Sequence, residues 1–364
     1  MLISAIDVFG YNVTYVHGSY VMSGGRVITG LQSTVVRVTS DSGLVGWGEV
    51  CPLGATYLPA FGAGAVAALR EIVPHLIGVD PRNLAAVYET MDSALMGHGY
   101  AKSAVDMACW DLVGRAAGLS VSTLLGGRRQ DQYPLYIAVP LDEPARMRDY
   151  VLARKAEGIR RFQLKVGGAP AADAKRVISV VEATGDGDTV IADANCGWRM
   201  QDAVVAARML EGLPRTYLEQ PCPTLEECLY VRERTTLPMV LDELITDLPS
   251  LLRAFHAGAM DAINLKISKV GGLTKARLIR DVAQTLGLRL TIEDTWGGDV
   301  TTAAISHLAA STAPEAHSPP MPIPSRARHR SSCINVCDVA APSEANEKSR
   351  IVAISAQHSS NSSR

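Results

Sequence analysis

Residues 160–168 read RRFQLKVGG, 191–195 IADAN, 218–221 LEQP, 241–243 LDE and 264–272 NLKISKVGG. Each holds the end of a short β-rich run that closes on a charged side chain: Lys165, Asp193, Glu219, Asp242 and Lys266. Working outward, seven such runs fall at 135–139, 162–166, 190–194, 216–219, 239–242, 262–267 and 288–293, separated by amphipathic helical stretches. Their starts lie roughly 22 to 28 residues apart, the length that a strand, its covering helix and two short loops require. Seven successive βα units without a long interruption favour a closed (β/α)8-type TIM barrel of the α/β class over a doubly wound sheet.

Upstream the pattern differs. Residues 3–13, 33–39 and 44–50 read as antiparallel strands, the last two joined by the turn Asp41-Ser42-Gly43. Helical periodicity follows at 63–76, 84–95 and 102–117, the last stopped by Gly118. The sequence therefore predicts an N-terminal α+β capping domain at 1–125 and a barrel at 126–312. An eighth unit is due after Thr312, but residues 313–364 contain no Leu, Gly or aromatic residue and abound in Ser and Pro, as in SPPMPIPS (318–325) and HSSNSSR (358–364). That composition predicts an atypical tail, disordered or frame-shifted, with the eighth unit lost or replaced.

At 364 residues the chain is long enough for a barrel plus an appended layer, and a composition 47% hydrophobic and 20% charged is that of a globular protein. A net charge of −2 gives no electrostatic footprint for nucleic acid or an anionic membrane, so a small molecule is the expected partner. The N-terminus alternates apolar and polar residues instead of forming a continuous apolar stretch, which predicts neither export nor a membrane span. Seven scattered cysteines, with Cys222 and Cys228 too far apart for a CxxC pair, fit reduced thiols in a cytoplasm.

Strand C-termini of a parallel barrel converge on one face, so Asp193, Glu219 and Asp242 become neighbours there. A lone strand-end acid is usually solvated; three at matching ends of successive strands repel unless a cation lies between them. An all-oxygen set on rigid strands suits octahedral Mg²⁺. Lys165 and Lys266 end the strands on either side of this trio. Two amines then face each other across a bound substrate, each able to take or give a proton from its own face, and a nearby dication lowers their pKa toward usefulness. A Schiff-base aldolase would also use a strand-end lysine, but it leaves the three acids unexplained.

Carrying these residues, positions 1–312 resemble the enolase superfamily in its mandelate racemase/muconate-lactonising branch. The resemblance implies Mg²⁺ held by Asp193, Glu219 and Asp242, acid and base roles for Lys165 and Lys266, and abstraction of a proton alpha to a carboxylate through a stabilised enediolate. One position departs: where the branch carries Lys-x-Lys, this chain has Gln163, which removes a positive neighbour and is expected either to leave the Lys165 pKa less depressed or to shift that role to the metal. The segments GWGEVCPLG (46–54), KSAVDMACWDL (102–112), RRFQLKVGG, EQPCPTLEECL (219–229), DAINLKISKVGGLT (261–274) and TIEDTWGGD (291–299) are similar to those of cis-3-hydroxy-L-proline dehydratases, and share much with epimerases of proline betaine and hydroxyproline betaine. The resemblance also implies a homo-oligomer where the C-terminus permits one, and the aberrant tail raises the alternative of an impaired relative.

Further candidates surround this set. Tyr57 and Trp296 are candidates for an apolar or cation-binding wall around a ring nitrogen. Asp294 is a candidate to hold Lys266 or the ring ammonium. Asn195, and Gln163 beside Lys165, are expected to support the metal ligands. Tyr20, in the glycine-rich HGSYVMSGGR (17–26), is placed to close over substrate as a lid. His98 reads as structural.

Overall fold

The computed structural model describes residues 1–15, 18–314 and 354–357. In the N-terminal layer, β1 (Ile3–Thr14) is followed by a small hairpin of β2 (Tyr20–Met22) and β3 (Arg26–Ile28), then by β4 (Gly30–Ser40) and β5 (Val45–Val50). Strands β1, β4 and β5 pair antiparallel in that order. Three helices follow: α1 (Gly62–Leu76), α2 (Leu84–Ala94) and α3 (Gly99–Ala117), the last ending at Gly118 in a left-handed conformation. Their apolar faces and the alternate inward residues Ile6, Val8, Val36 and Val38 make one buried core.

The glycines of GWGE set how this layer closes. A Cβ at Gly46 would collide with the carbonyl oxygen of Ala108, and one at Gly48 with that of Ala104, so β5 lies directly on the backbone of α3. Overpacking typically costs about 1–3 kcal/mol, and here backbone on both sides limits relaxation. Gly48→Ala is therefore expected to lower the melting temperature by many degrees; a melting temperature equal to that of the wild type would show that β5 does not approach α3 this closely.

The short α4 (Val121–Leu124) leads into the barrel, which runs β6 (Tyr136–Val139), α5 (Pro144–Ala156), β7 (Arg161–Lys165), α6 (Pro170–Ala183), β8 (Thr189–Asp193), α7 (Met200–Leu210), β9 (Thr216–Glu219), α8 (Leu225–Arg232), β10 (Met239–Leu241), α9 (Leu248–His256), β11 (Ala262–Lys266), α10 (Ile267–Val270), α11 (Leu273–Thr285), β12 (Arg289–Glu293) and α12 (Asp299–Ala310). The strands form one parallel sheet in sequence order, β6 through β12. This is the TIM-barrel-type α/β arrangement that the seven spaced runs predict. Alternation decides the two faces. Phe162, Leu164, Val190, Ala192, Leu218, Leu241, Ile263 and Leu265 join the large core with the helices. The intervening positions Tyr136, Ile191, Tyr217, Val240 and Ala262 form a separate cluster, and the charged strand ends continue their register.

The expected eighth unit lies outside the described residues, as does the tail apart from one segment. In that segment Ile354–Gln357 forms β13, antiparallel to β1. The edge of β1 away from β4 carries unpaired backbone groups, and an added strand satisfies them. Among the described residues, no helix is long and apolar enough to cross a membrane.

Candidate active site

Strand order places Lys165 on β7 and Lys266 on β11, with β8, β9 and β10 between them. Register aligns the ends: Lys165 stands opposite Asp193, Asp193 opposite Glu219, and Lys266 opposite Glu293. Asp193, Glu219 and Asp242 are all 0% exposed, and both lysines 4%.

The two lysines are held differently. Lys165 Nζ lies 2.5 Å from Asp193 Oδ2 and donates to Gln163 Oε1 at 2.9 Å. Gln163 in turn donates through Nε2 to both Glu219 oxygens at 3.0 Å, so it bridges Lys165 and Glu219. Lys266 Nζ donates to Asp242 Oδ2 at 2.6 Å and to the Tyr57 hydroxyl at 2.5 Å, with Glu293 Oε1 at 3.3 Å. Tyr57, from the loop after β5, also donates to Asp242 Oδ2 at 3.0 Å, and the Lys266 ammonium sits 4.9 Å from its ring centroid. Tyr57 thus joins the lysine directly.

Burial is the largest influence on both lysines and lowers their pKa, but the adjacent carboxylates outweigh it. Asp193 first and Asp242 first, respectively, leave Lys165 and Lys266 above the ordinary lysine value. Burial, then Asp193 and Asp242, drives Glu219 well above the carboxylate range. Asp242 stays below it, because Lys266 and Lys269 overcome the effect of burial. Burial and the same two acids push Glu243 up to about 7.

Asp294 is bonded to the backbone and hydroxyl groups around it. Its Oδ2 accepts from the Ser268 amide at 3.0 Å and its Oδ1 from the Thr295 amide at 2.7 Å and the Ser268 hydroxyl, so it ties the loop after β12 to α10 while Lys266 pairs elsewhere. Asn195, at φ 44°, donates to Asp193 Oδ2 at 2.9 Å and Glu243 Oε1 at 3.1 Å. Tyr20 and Trp296 pack edge to face at 5.4 Å between ring centroids, with Tyr15 against both. This aromatic cluster joins the capping layer to the loop after β12.

Several neighbours escaped sequence reading. Lys269 Nζ donates to Asp242 Oδ1 at 2.6 Å and to its carbonyl oxygen, because the single turn of α10 folds it back beside Lys266. Asn264 donates to Glu219 at 2.9 Å and Glu293 at 2.7 Å, and Tyr136 to Glu219 at 3.3 Å. The period-two rule carried one step down β11 from Lys266 would have found Asn264. A cavity of about 260 Å³ lies elsewhere, lined by Trp47, Asp111 and His307 among others, and contains none of the strand-end acids or lysines.

Does this donor set fit a divalent cation? Among the described residues, five acidic side chains, Asp193, Glu219, Asp242, Glu293 and the half-buried Glu243, gather beside the three ammonium groups of Lys165, Lys266 and Lys269. That imbalance suits a dication. Asn195 Oδ1, Glu243 Oε2 and Asn264 Oδ1 are buried oxygens without a hydrogen-bond partner. No group of three or more His, Cys, Asp or Glu side chains among the described residues is gathered about one point, since the ammonium groups engage Asp193 and Asp242. In chemistry the residues fit Mg²⁺; their arrangement here is that of lysine counter-ions.

Comparison with known proteins accords with this constellation. Residues 10–126 match the mandelate racemase/muconate lactonizing enzyme N-terminal domain, and 146–330 the enolase C-terminal domain-like family. The chain is a member of the enolase superfamily, of mandelate racemase/muconate lactonizing type. It is 47% identical over 315 residues to a cis-3-hydroxy-L-proline dehydratase of Roseibium aggregatum, covering 86% of each chain. A member of the enolase superfamily from Roseovarius nubinhibens, solved with magnesium, superposes with a TM-score of 0.80 at 38% identity over 86% of this chain and 84% of that one. A dipeptide epimerase from Cytophaga hutchinsonii, solved with Mg and D-Ala-L-Val, gives 0.82 at 26% identity over 87% and 86%. Membership of this superfamily makes the chain an enzyme.

Proposed function

We propose that this superfamily member is a Mg²⁺-dependent hydro-lyase that dehydrates cis-3-hydroxy-L-proline. The observation that carries the reading is the pair of buried amines, Lys165 and Lys266, on the strands flanking three strand-end acids. The similarity to the Roseibium dehydratase across 86% of the chain supports the choice of substrate. Asp193, Glu219 and Asp242 are the proposed ligands, within a barrel at 126–312 capped by 1–125. When bound, Mg²⁺ stabilises the negative charge that develops on the substrate carboxylate as the alpha proton departs.

The remaining work falls to this chain's residues. In the cis isomer the 3-hydroxyl and the carboxylate share a ring face, so the alpha proton points to the other. Elimination is anti: one lysine takes that proton, the Cα electron pair forms the ring double bond, and the C3–O bond breaks as the opposite lysine protonates the departing hydroxyl to water. The resulting enamine tautomerises to a cyclic imine. Once Asp193 and Asp242 act as ligands and no longer as counter-ions, burial favours the neutral amine that a base requires. Gln163 and Tyr57 hold the two amines in place.

With substrate and Mg²⁺, imine trapped by 2-aminobenzaldehyde is expected, and EDTA should abolish it. An absence of trapped imine, with deuterium entering the alpha carbon of a proline betaine, would replace this reading with epimerisation, which needs the same two-faced pair.

A further inference from the structure

Neither GWGE (46–49) nor the helical segment KSAVDMACW (102–110) contributes a group to the strand-end site, yet each sends a buried carboxyl group to a barrel helix. Glu49 is 0% exposed. Its Oε1 accepts from the Gly298 amide at 3.0 Å, from the Ser33 hydroxyl at 2.6 Å and from the Tyr11 hydroxyl; its Oε2 accepts from the Thr301 amide at 3.0 Å and hydroxyl at 3.1 Å. Gly298 is the N-cap residue of α12, and Thr301 is the third residue within it. An N-cap side chain normally satisfies that amide; glycine has none, so α12 takes its cap from the other domain. The positive end of the helix suits the carboxylate.

The same construction recurs one helix earlier. Gly272 is the N-cap of α11 and supplies no side-chain cap, while Asp106 on α3 accepts from the Thr274 amide at 3.0 Å and its hydroxyl at 2.5 Å. At both places a Cβ on the glycine would run into the incoming groups: Asp106 at Gly272, and the Tyr11 hydroxyl and Glu49 at Gly298. The glycine pairs of KVGG and TWGG thus stand at helix starts whose amides donate to carboxylates far away in sequence, Asp106 and Glu49. The turn before Gly298 carries Asp294 and Trp296, whose ring packs on Tyr15 and Tyr20 of the capping layer.

We propose that Glu49 is a positioning residue: by capping α12 from the N-terminal layer it fixes the 294–298 turn and Trp296 over the site, making domain seating and site geometry a single event. Only the kinetic arm of the test rests on the function proposed above. In the full chain, Glu49→Gln places an amide donor against backbone donors, and Gly298→Ala blocks the approach while leaving Glu49 intact. Hydrogen exchange across 294–304 should quicken about tenfold in both variants. The value of kcat/KM should fall by up to about 10²-fold, mostly through KM. Val73→Ala, in the N-terminal core, is the control for general weakening: it should lower the melting temperature and leave exchange at 294–304 unchanged. Unchanged exchange in a folded Glu49→Gln or Gly298→Ala variant, or equal acceleration by Val73→Ala, would overturn the proposal. Wild-type protein without dehydratase activity would count against the proposed function, and exchange would still decide the role of Glu49.

Discussion

Lys165→Ala and Lys266→Ala are each expected to reduce turnover of cis-3-hydroxy-L-proline by about 10²–10⁴-fold, the usual contribution of a positioned acid or base. The two losses should differ in kind. Removing the base abolishes exchange of the alpha proton with solvent deuterium, whereas removing the acid slows C–O cleavage and leaves exchange able to proceed. Monitoring both signals in both variants therefore assigns the roles, since each ammonium sits within 2.6 Å of a carboxylate from the strand trio. Both variants should still bind Mg²⁺. If either retains wild-type turnover, opposed acid–base catalysis by this pair is wrong.

Glu219→Gln is expected to act through the metal. Saturating wild type at a hundred times the dissociation constant should stabilise it by about 2.7 kcal/mol, and the variant should lose most of that gain. Turnover should drop on the order of 10³-fold with loss of the charge stabilisation the ion supplies. The metal-free comparison should run the other way. Burial, Asp193 and Asp242 raise the folded-state pKa of Glu219, so the folded protein holds a proton that the unfolded chain releases near pH 4. That contribution is complete below about pH 4 and is lost as pH rises through the raised value. Without metal, the stability of the wild type should thus fall with rising pH more than that of the variant, as thermal unfolding across pH would show. A wild type with no Mg²⁺-induced shift would remove the basis for assigning the three acids to a metal.

Much of this was legible without coordinates because strand periodicity is local. The runs ending in Lys165, Asp193, Glu219, Asp242 and Lys266 announce themselves by composition and spacing, and parallel closure then fixes which ends meet. Partners chosen by loop and helix geometry were not legible. Lys269 reaches Asp242 only because α10 makes one turn after Lys266. Asp294 turns to Ser268, although its position in sequence gives it an equal claim on Lys266. Tyr57 reaches Lys266 across 209 positions, a pairing that no local pattern encodes.

By itself, then, the sequence determined the order of strands, the alternation that points acids and amines away from the helices, and the two-layer organisation, because each follows from periodicities of a few residues. Tertiary structure alone decided which carboxylate each amine holds, how Gln163 couples Lys165 to Glu219, and that the glycines before α11 and α12 receive caps from the N-terminal layer. Those are contacts between segments distant along the chain, selected by which buried donors and acceptors must find partners once water has been excluded.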